Sequence, residues 1–171
     1  MGDRSVTRNC GPDLVRVGAG LPVAAYRDEI TTALHGGRAV IVAPPGTGKT
    51  TFVPPLVASR CSGRVIVTQP RRVAARAAAR RLATLTGTRP GEFASHTVHG
   101  ESTTTRDTKV EFVTTGVLLR RLLSDPDLTG VDAVVLDEVH ERHLDADLVV
   151  AMVCEVAQLR DCLLYTSPSP R

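Results

Sequence analysis

Residues 39–51 read Ala39-Val40-Ile41-Val42-Ala43-Pro44-Pro45-Gly46-Thr47-Gly48-Lys49-Thr50-Thr51. The run 39–43 is short, apolar and β-branched, which predicts a buried strand. The run from Lys49 to Ser59 predicts a helix. Between them lies a glycine-containing loop of the phosphate-binding type, in the strand–loop–helix setting that such a loop requires. Gly46 and Gly48 let the backbone wrap closely around a phosphate, and the amides of 46–50 point inward at a helix N-terminus, which favours an anion. Lys49 can reach β- and γ-phosphates, and the Thr50 hydroxyl can ligate Mg²⁺. Ala43 stands where the strict pattern has its first glycine.

The same alternation extends in both directions. Val65–Thr68, Val110–Thr114 and Ala133–Leu136 are three further apolar runs of strand length. Helical stretches separate them: Tyr26–His35, Arg71–Leu85, Val117–Leu123 and Asp145–Leu159, the last with Leu148, Val149, Met152 and Val156 on one face. Apolar strands alternating with helices predict an α/β fold with a mainly parallel sheet covered on both faces. The polar stretch from Thr88 to Thr108 is expected to be a hairpin or an irregular excursion.

A second chemical signal closes the last of these strands. Asp137-Glu138-Val139-His140 places an acidic pair at a strand end. There Asp137 is suited to hold Mg²⁺ and Glu138 to activate an attacking water. With the phosphate loop on another strand of the same sheet, the two motifs define a P-loop nucleotide hydrolase with ATP and Mg²⁺ as its cofactors. The histidines and acids from His140 to Asp147 lack zinc spacing, because Leu144 stands four residues after His140.

Composition narrows the class without choosing a substrate. The chain has 171 residues, enough for one domain. Aromatic residues are 3% of it and Trp is absent, so the core must be aliphatic. Net charge is only +3, yet five arginines fall between Arg71 and Arg81. Arginine suits forked contacts to phosphate. The four cysteines, at 10, 61, 154 and 162, form no C-x-x-C pair, which fits a reduced, cytoplasmic compartment. No apolar run is long enough to cross a bilayer.

The segments between the two motifs carry a family resemblance. Thr68-Gln69-Pro70-Arg71-Arg72-Val73-Ala74-Ala75 resembles motif Ia of DEAH-type superfamily-two helicases. Thr114-Thr115-Gly116-Val117-Leu118-Leu119 resembles motif Ib, and Asp137-Glu138-Val139-His140-Glu141-Arg142 resembles motif II. Leu21-Pro22-Val23 resembles the lead-in that precedes the phosphate loop. The likeness runs from Leu21 to about Asp161, and its alanine-arginine run 74–82 and Val98-His99-Gly100-Glu101-Ser102 resemble a bacterial branch of the group. Val139 departs from the Ala of D-E-A-H and leaves the acidic pair and His140 in place.

That resemblance implies a RecA-like three-layer sandwich and ATP-driven remodelling or unwinding of RNA or DNA. It implies that Arg71, Arg72, Thr114, Thr115 and Gly116 hold a nucleic-acid backbone, and that Gly46, Thr47, Gly48, Lys49, Thr50 and Thr51 hold the nucleotide. Arg81 matches the arginine that stacks on adenine, and His140 would couple the ATP site to its neighbours. Two other classes stand beside this one: a P-loop ATPase acting on protein or small molecules, and a module that binds without turnover.

The resemblance divides the chain into a polar leader, 1–20, a first RecA-like lobe, 21–161, and a tail, 162–171. The tail reads Cys162-Leu163-Leu164-Tyr165-Thr166-Ser167-Pro168-Ser169-Pro170-Arg171 and matches the translation of a transposase sequencing adaptor. A non-native tail implies a lobe truncated before completion, one empty position in its sheet, and a missing second RecA-like lobe.

Overall fold

The structure is a computed structural model and describes residues 11–139, 144–159 and 163–167. Seven strands form one sheet: β1 (Arg38–Val40), β2 (Arg64–Gln69), β3 (Ala94–Val98), β4 (Glu101–Ser102), β5 (Val110–Thr114), β6 (Val131–Asp137) and β7 (Leu163–Ser167). Their spatial order is β1-β7-β6-β2-β5-β3-β4. Every neighbouring pair is parallel except β3–β4. All strands except β4 therefore end on the same side, and the loops that follow them share that side.

Helices cover both faces. They are α1 (Leu14–Gly18), α2 (Arg27–Leu34), α3 (Lys49–Ala58), α4 (Arg72–Thr86), α5 (Thr115–Ser124) and α6 (Leu144–Leu159), with a 3₁₀ turn at Pro22–Tyr26. Strand side chains alternate between two cores. Val65, Val67, Phe112, Ala133 and Val135 pack with α3 and α4, while Ile66, Val113, Val134 and Leu136 pack with α5 and α6. The result is the three-layer α/β sandwich expected.

Local sequence explains most elements. α4 is rich in alanine, a strong helix former. It stops at Gly87, whose φ of 69° is the left-handed cap that glycine adopts without strain. α3 contains Pro54 and Pro55 and persists because every residue from Phe52 to Ala58 is buried. Packing there outweighs poor helix propensity. The excursion from Thr88 to Thr108 becomes β3 and β4, and β3 joins the main sheet parallel to β5.

Four expectations change. Residues 14–18, assigned to a polar leader, form α1, and Val17 lies in the core at 1% exposure. The strand expected over 39–43 is, among the described residues, an edge strand over 38–40, with Ala39 and Ile41 packed on the core and Val40 and Val42 exposed on the other face. On α6, Val149, Met152 and Val156 pack inward as expected and Val153 joins them, while Leu148 of the expected stripe is exposed.

The fourth concerns the sheet position expected to be empty. The backbone of Leu163–Ser167 fills it, parallel to β1 on one side and β6 on the other. A strand in that slot pairs on both edges through backbone groups that every non-proline residue supplies. Its occupancy therefore follows from backbone pairing and says nothing of the segment's origin.

Candidate active site

The loop 43–48 begins three residues past the end of β1 at Val40 and turns into α3. Gly48 is the N-cap of α3 with φ 91°, and Thr51 and Phe52 both donate to its carbonyl, at 3.1 and 2.9 Å. A Cβ at Gly48 would stand 2.9 Å from Leu21 Cδ2. Leu21 is thus packed against the loop, and Val23 N donates to Thr47 O at 3.0 Å. The Leu21-Pro22-Val23 lead-in braces the loop from outside. From inside, Thr47 Oγ1 donates to Pro44 O at 2.9 Å. Lys49 is buried, and its Nζ donates to the carbonyls of Ala43 and Pro44.

Thr50 projects from the first turn of α3 toward β6. Its hydroxyl donates to Asp137 Oδ2 at 2.5 Å. The two residues are 87 positions apart in sequence, and the parallel sheet joins them. Asp137 is 6% exposed, and other groups hold it there. Gln69 Nε2 donates to Oδ2 at 2.8 Å, Glu138 N donates to Oδ1 at 3.1 Å, and Asp137 N donates to Thr68 Oγ1 at 3.2 Å. A threonine hydroxyl beside an aspartate carboxylate is a hard oxygen donor pair, the kind that Mg²⁺ takes from protein while phosphate and water supply the rest. The residues present fit that ion. Glu138 follows with φ 55°, a left-handed backbone at a non-glycine residue.

A cleft of about 200 Å³ opens beside this cluster. Thr68, Pro70, Thr114, Thr115, Gly116 and Glu138 are among its walls. The cleft joins the ends of β2, β5 and β6, where Gln69 pairs in register with Thr114. Arg71 is the exposed N-cap of α4, and Arg72 begins that helix. Arg72 Nη2 donates to the carbonyl of His99 at the β3–β4 turn, and Arg120 of α5 meets His99 Nδ1 at 3.0 Å. Arg71, Arg72, Thr114, Thr115 and Gly116 therefore gather at one sheet end, the same end as the phosphate loop. Arg81 is exposed on α4, about 13.5 Å along the helix axis from its start at Arg72, at about 1.5 Å per residue. His140, with Glu141 and Arg142, lies outside the described residues.

Residues 26–160 match the family described as DEAD/DEAH box helicase. The chain belongs to this family. ATP-dependent RNA helicase HrpB of Escherichia coli is 43% identical over 147 residues, spanning 84% of this chain and 18% of HrpB. Probable ATP-dependent RNA helicase DHR1 of Saccharomyces cerevisiae is 36% identical over 158 residues, spanning 86% of this chain and 12% of DHR1. The crystal structure of Escherichia coli DEAH/RHA helicase HrpB matches with a TM-score of 0.83 at 38% identity, over 88% of this chain and 20% of that one. The fold is RecA-like, and the chain spans less than a fifth of these two relatives' lengths.

Within this DEAD/DEAH box lobe, two groups escaped the sequence reading. Gln69 sits inside the quoted motif Ia, but its partner is 68 residues away, and no local pattern announces a hydrogen bond of that span. Glu111 did leave a signal, as a lone charge in the apolar run V-E-F-V-T, since a buried charge requires partners. It is 1% exposed and takes a forked pair of hydrogen bonds from Arg121, both at 2.9 Å, with Arg64 at 3.3 Å and Thr97 at 2.7 Å. Burial opposes its ionisation, but the bonds from Arg121 and then Thr97 outweigh burial and hold the carboxyl below its usual range. On the β3–β4 hairpin, hydrogen bonds from His96 and then Arg76 hold Glu101 low in the same way.

Proposed function

We propose that this lobe binds Mg-ATP and, within a complete helicase, couples its hydrolysis to the remodelling or unwinding of RNA or DNA. One observation carries the reading: Thr50 of the phosphate loop and Asp137 of the strand-end acidic pair are in direct contact. Two motifs far apart in sequence thereby form one hard-donor centre. Mg²⁺, when bound, would be held by Thr50 and Asp137 and would neutralise charge developing on the phosphate. In this reading Gly46, Thr47, Gly48 and Thr51 shape the phosphate cradle, Lys49 binds phosphate, and Thr50 and Asp137 hold the ion. Glu138 takes a proton from the attacking water. His140 relays between neighbouring motifs, and Arg81 stacks on adenine. Arg71, Arg72, Thr114, Thr115 and Gly116 hold a nucleic-acid backbone without reading its bases.

The names of the relatives favour RNA among the nucleic acids. Among the described residues no helix is long and apolar enough to cross a membrane. The cytoplasmic setting rests on the cysteine spacing, which holds no C-x-x-C pair. The boundary at residue 161, with a non-native tail after it, remains our proposal for the chain. Genomic reads from the source organism test it, and reads carrying Cys162 to Arg171 in frame would reject it.

The functional test is titration of Mg-ATP, with and without RNA. Lys49→Ala removes the phosphate-binding charge and Thr50→Ala removes an ion ligand. Each should weaken Mg-ATP affinity by about tenfold or more, the scale of one lost charge-assisted contact of about 1.5–3 kcal/mol. Lys109→Ala, exposed and at the opposite end of the strands, should leave affinity unchanged. Equal affinity for wild type and Lys49→Ala would sink the assignment.

A further inference from the structure

Gln69 is the last residue of β2 and is 5% exposed. Its amide donates to Asp137 Oδ2 at 2.8 Å, the oxygen that also accepts the Thr50 hydroxyl. Asp137 Oδ1 accepts from Glu138 N. Three segments therefore fix one carboxylate: the phosphate-loop helix, the turn after β6, and the strand leading into Pro70-Arg71-Arg72. A glutamine NH₂ donates without bearing charge. It can orient Asp137 without acting as a counter-ion in place of the metal.

The other end of this connection is short and stiff. Only Pro70 separates Gln69 from Arg71, and its ring fixes φ. Gln69 is also in backbone register with Thr114. Thr114 is one of the groups that the proposed function assigns to a nucleic-acid backbone, and Gln69 stands two residues before another, Arg71. A phosphate chain held by Arg71 and Arg72 would bear on the backbone of 70–71, and through the stiff Pro70 on the position of the Gln69 amide.

We propose that Gln69 is a positioning residue that ties the nucleic-acid face to the ion-binding carboxylate of Asp137, so that RNA and Mg-nucleotide alter each other's affinity through it. The inference rests on the proposed function. Thermodynamic linkage requires the effect to be reciprocal. A glutamine that merely satisfied a buried aspartate would, when replaced, weaken nucleotide binding equally with and without RNA.

The test uses the 171-residue chain, a fluorescent ATP analogue with Mg²⁺, and a short poly-uridine RNA. Nucleotide affinity is measured with and without saturating RNA, and RNA affinity with and without nucleotide. The wild-type chain should show a coupling factor of about fivefold, the low end of the usual range, equal in both directions. Gln69→Ala and Gln69→Met should reduce it to about one while both ligands still bind. Methionine retains length and loses the donor, so it carries the measurement should the alanine variant fail to fold. Coupling retained in the variants, or below about twofold in the wild type while both ligands bind, overturns the inference alone. Failure of the wild type to bind nucleotide overturns the proposed function and this inference with it.

Discussion

Glu138 holds its backbone at φ 55°, a conformation that costs a non-glycine residue about 1–3 kcal/mol. The geometry turns the chain immediately after Asp137, whose Oδ1 accepts from Glu138 N. Two substitutions separate backbone from side chain. Glu138→Gly should raise stability by about 1 kcal/mol, read as a higher melting temperature, because glycine takes this φ freely. In a protein with both lobes, Glu138→Gln should keep Mg-ATP affinity and lower hydrolysis by about a hundredfold or more, because an amide cannot accept the water's proton. A Gln variant that hydrolyses at the normal rate would exclude Glu138 as the base. Lys49, Thr50, Asp137 and Glu138 were legible in sequence because motif spacing and strand ends define them. Gln69 was legible only as a letter within a motif, since its task depends on β2 and β6 lying side by side.

Among the elements, β5 and α5 are joined by an ion pair that crosses the layers. Arg121 and Arg64 retain 27% and 28% side-chain exposure, while Glu111 has 1%. Removing the carboxylate takes the shared anion from both arginines, and Glu111→Gln should cost about 3 kcal/mol at neutral pH, the low end for a broken buried pair. The pH dependence follows from the direction of the shift. The folded-state pKa of Glu111 lies below the ordinary value of 4.5. Its stabilisation is therefore complete above that value and is lost as pH falls through the folded pKa. Urea melts across that acid range should show wild type losing stability where Glu111→Gln loses less. Identical acid profiles would refute the pairing. The strands β2, β5 and β6 were legible as apolar runs, whereas β3 and β4 were not. Their residues are largely polar, and their hydroxyls bond one another: Ser95 to Thr104 and Thr97 to Ser102. Periodicity cannot find a strand whose inner face is a hydroxyl network.

At the scale of the molecule, Arg71 belongs to a surface that the whole fold assembles. Arg71→Ala should weaken RNA of every sequence alike and reduce the salt slope of binding by about one, because one phosphate contact is lost. Filter binding across a salt series would show it, and a sequence-selective loss would contradict a backbone contact. The chain itself should show at most feeble ATPase, since an arginine finger from a second lobe is worth about a thousandfold or more in turnover. Robust unwinding by this chain alone would contradict that account.

The position of β7 has a temporal consequence. Among the described residues β1, which launches the phosphate loop, hydrogen-bonds within the sheet only to β7, with Arg38 paired to Leu164. Closing a loop of that span carries a larger entropic cost than closing the local pairs β2–β5 or β3–β5. When the 171-residue chain folds, β2, β5, β3 and β6 can assemble while β1 still lacks its neighbour, so the strand that launches the phosphate loop is the last to be anchored. The same dependence makes β1 the place where the finished domain opens first. A chain ending at Asp161 should exchange its Arg38–Val40 amides far faster than the 171-residue chain, while β2 and β5 stay protected.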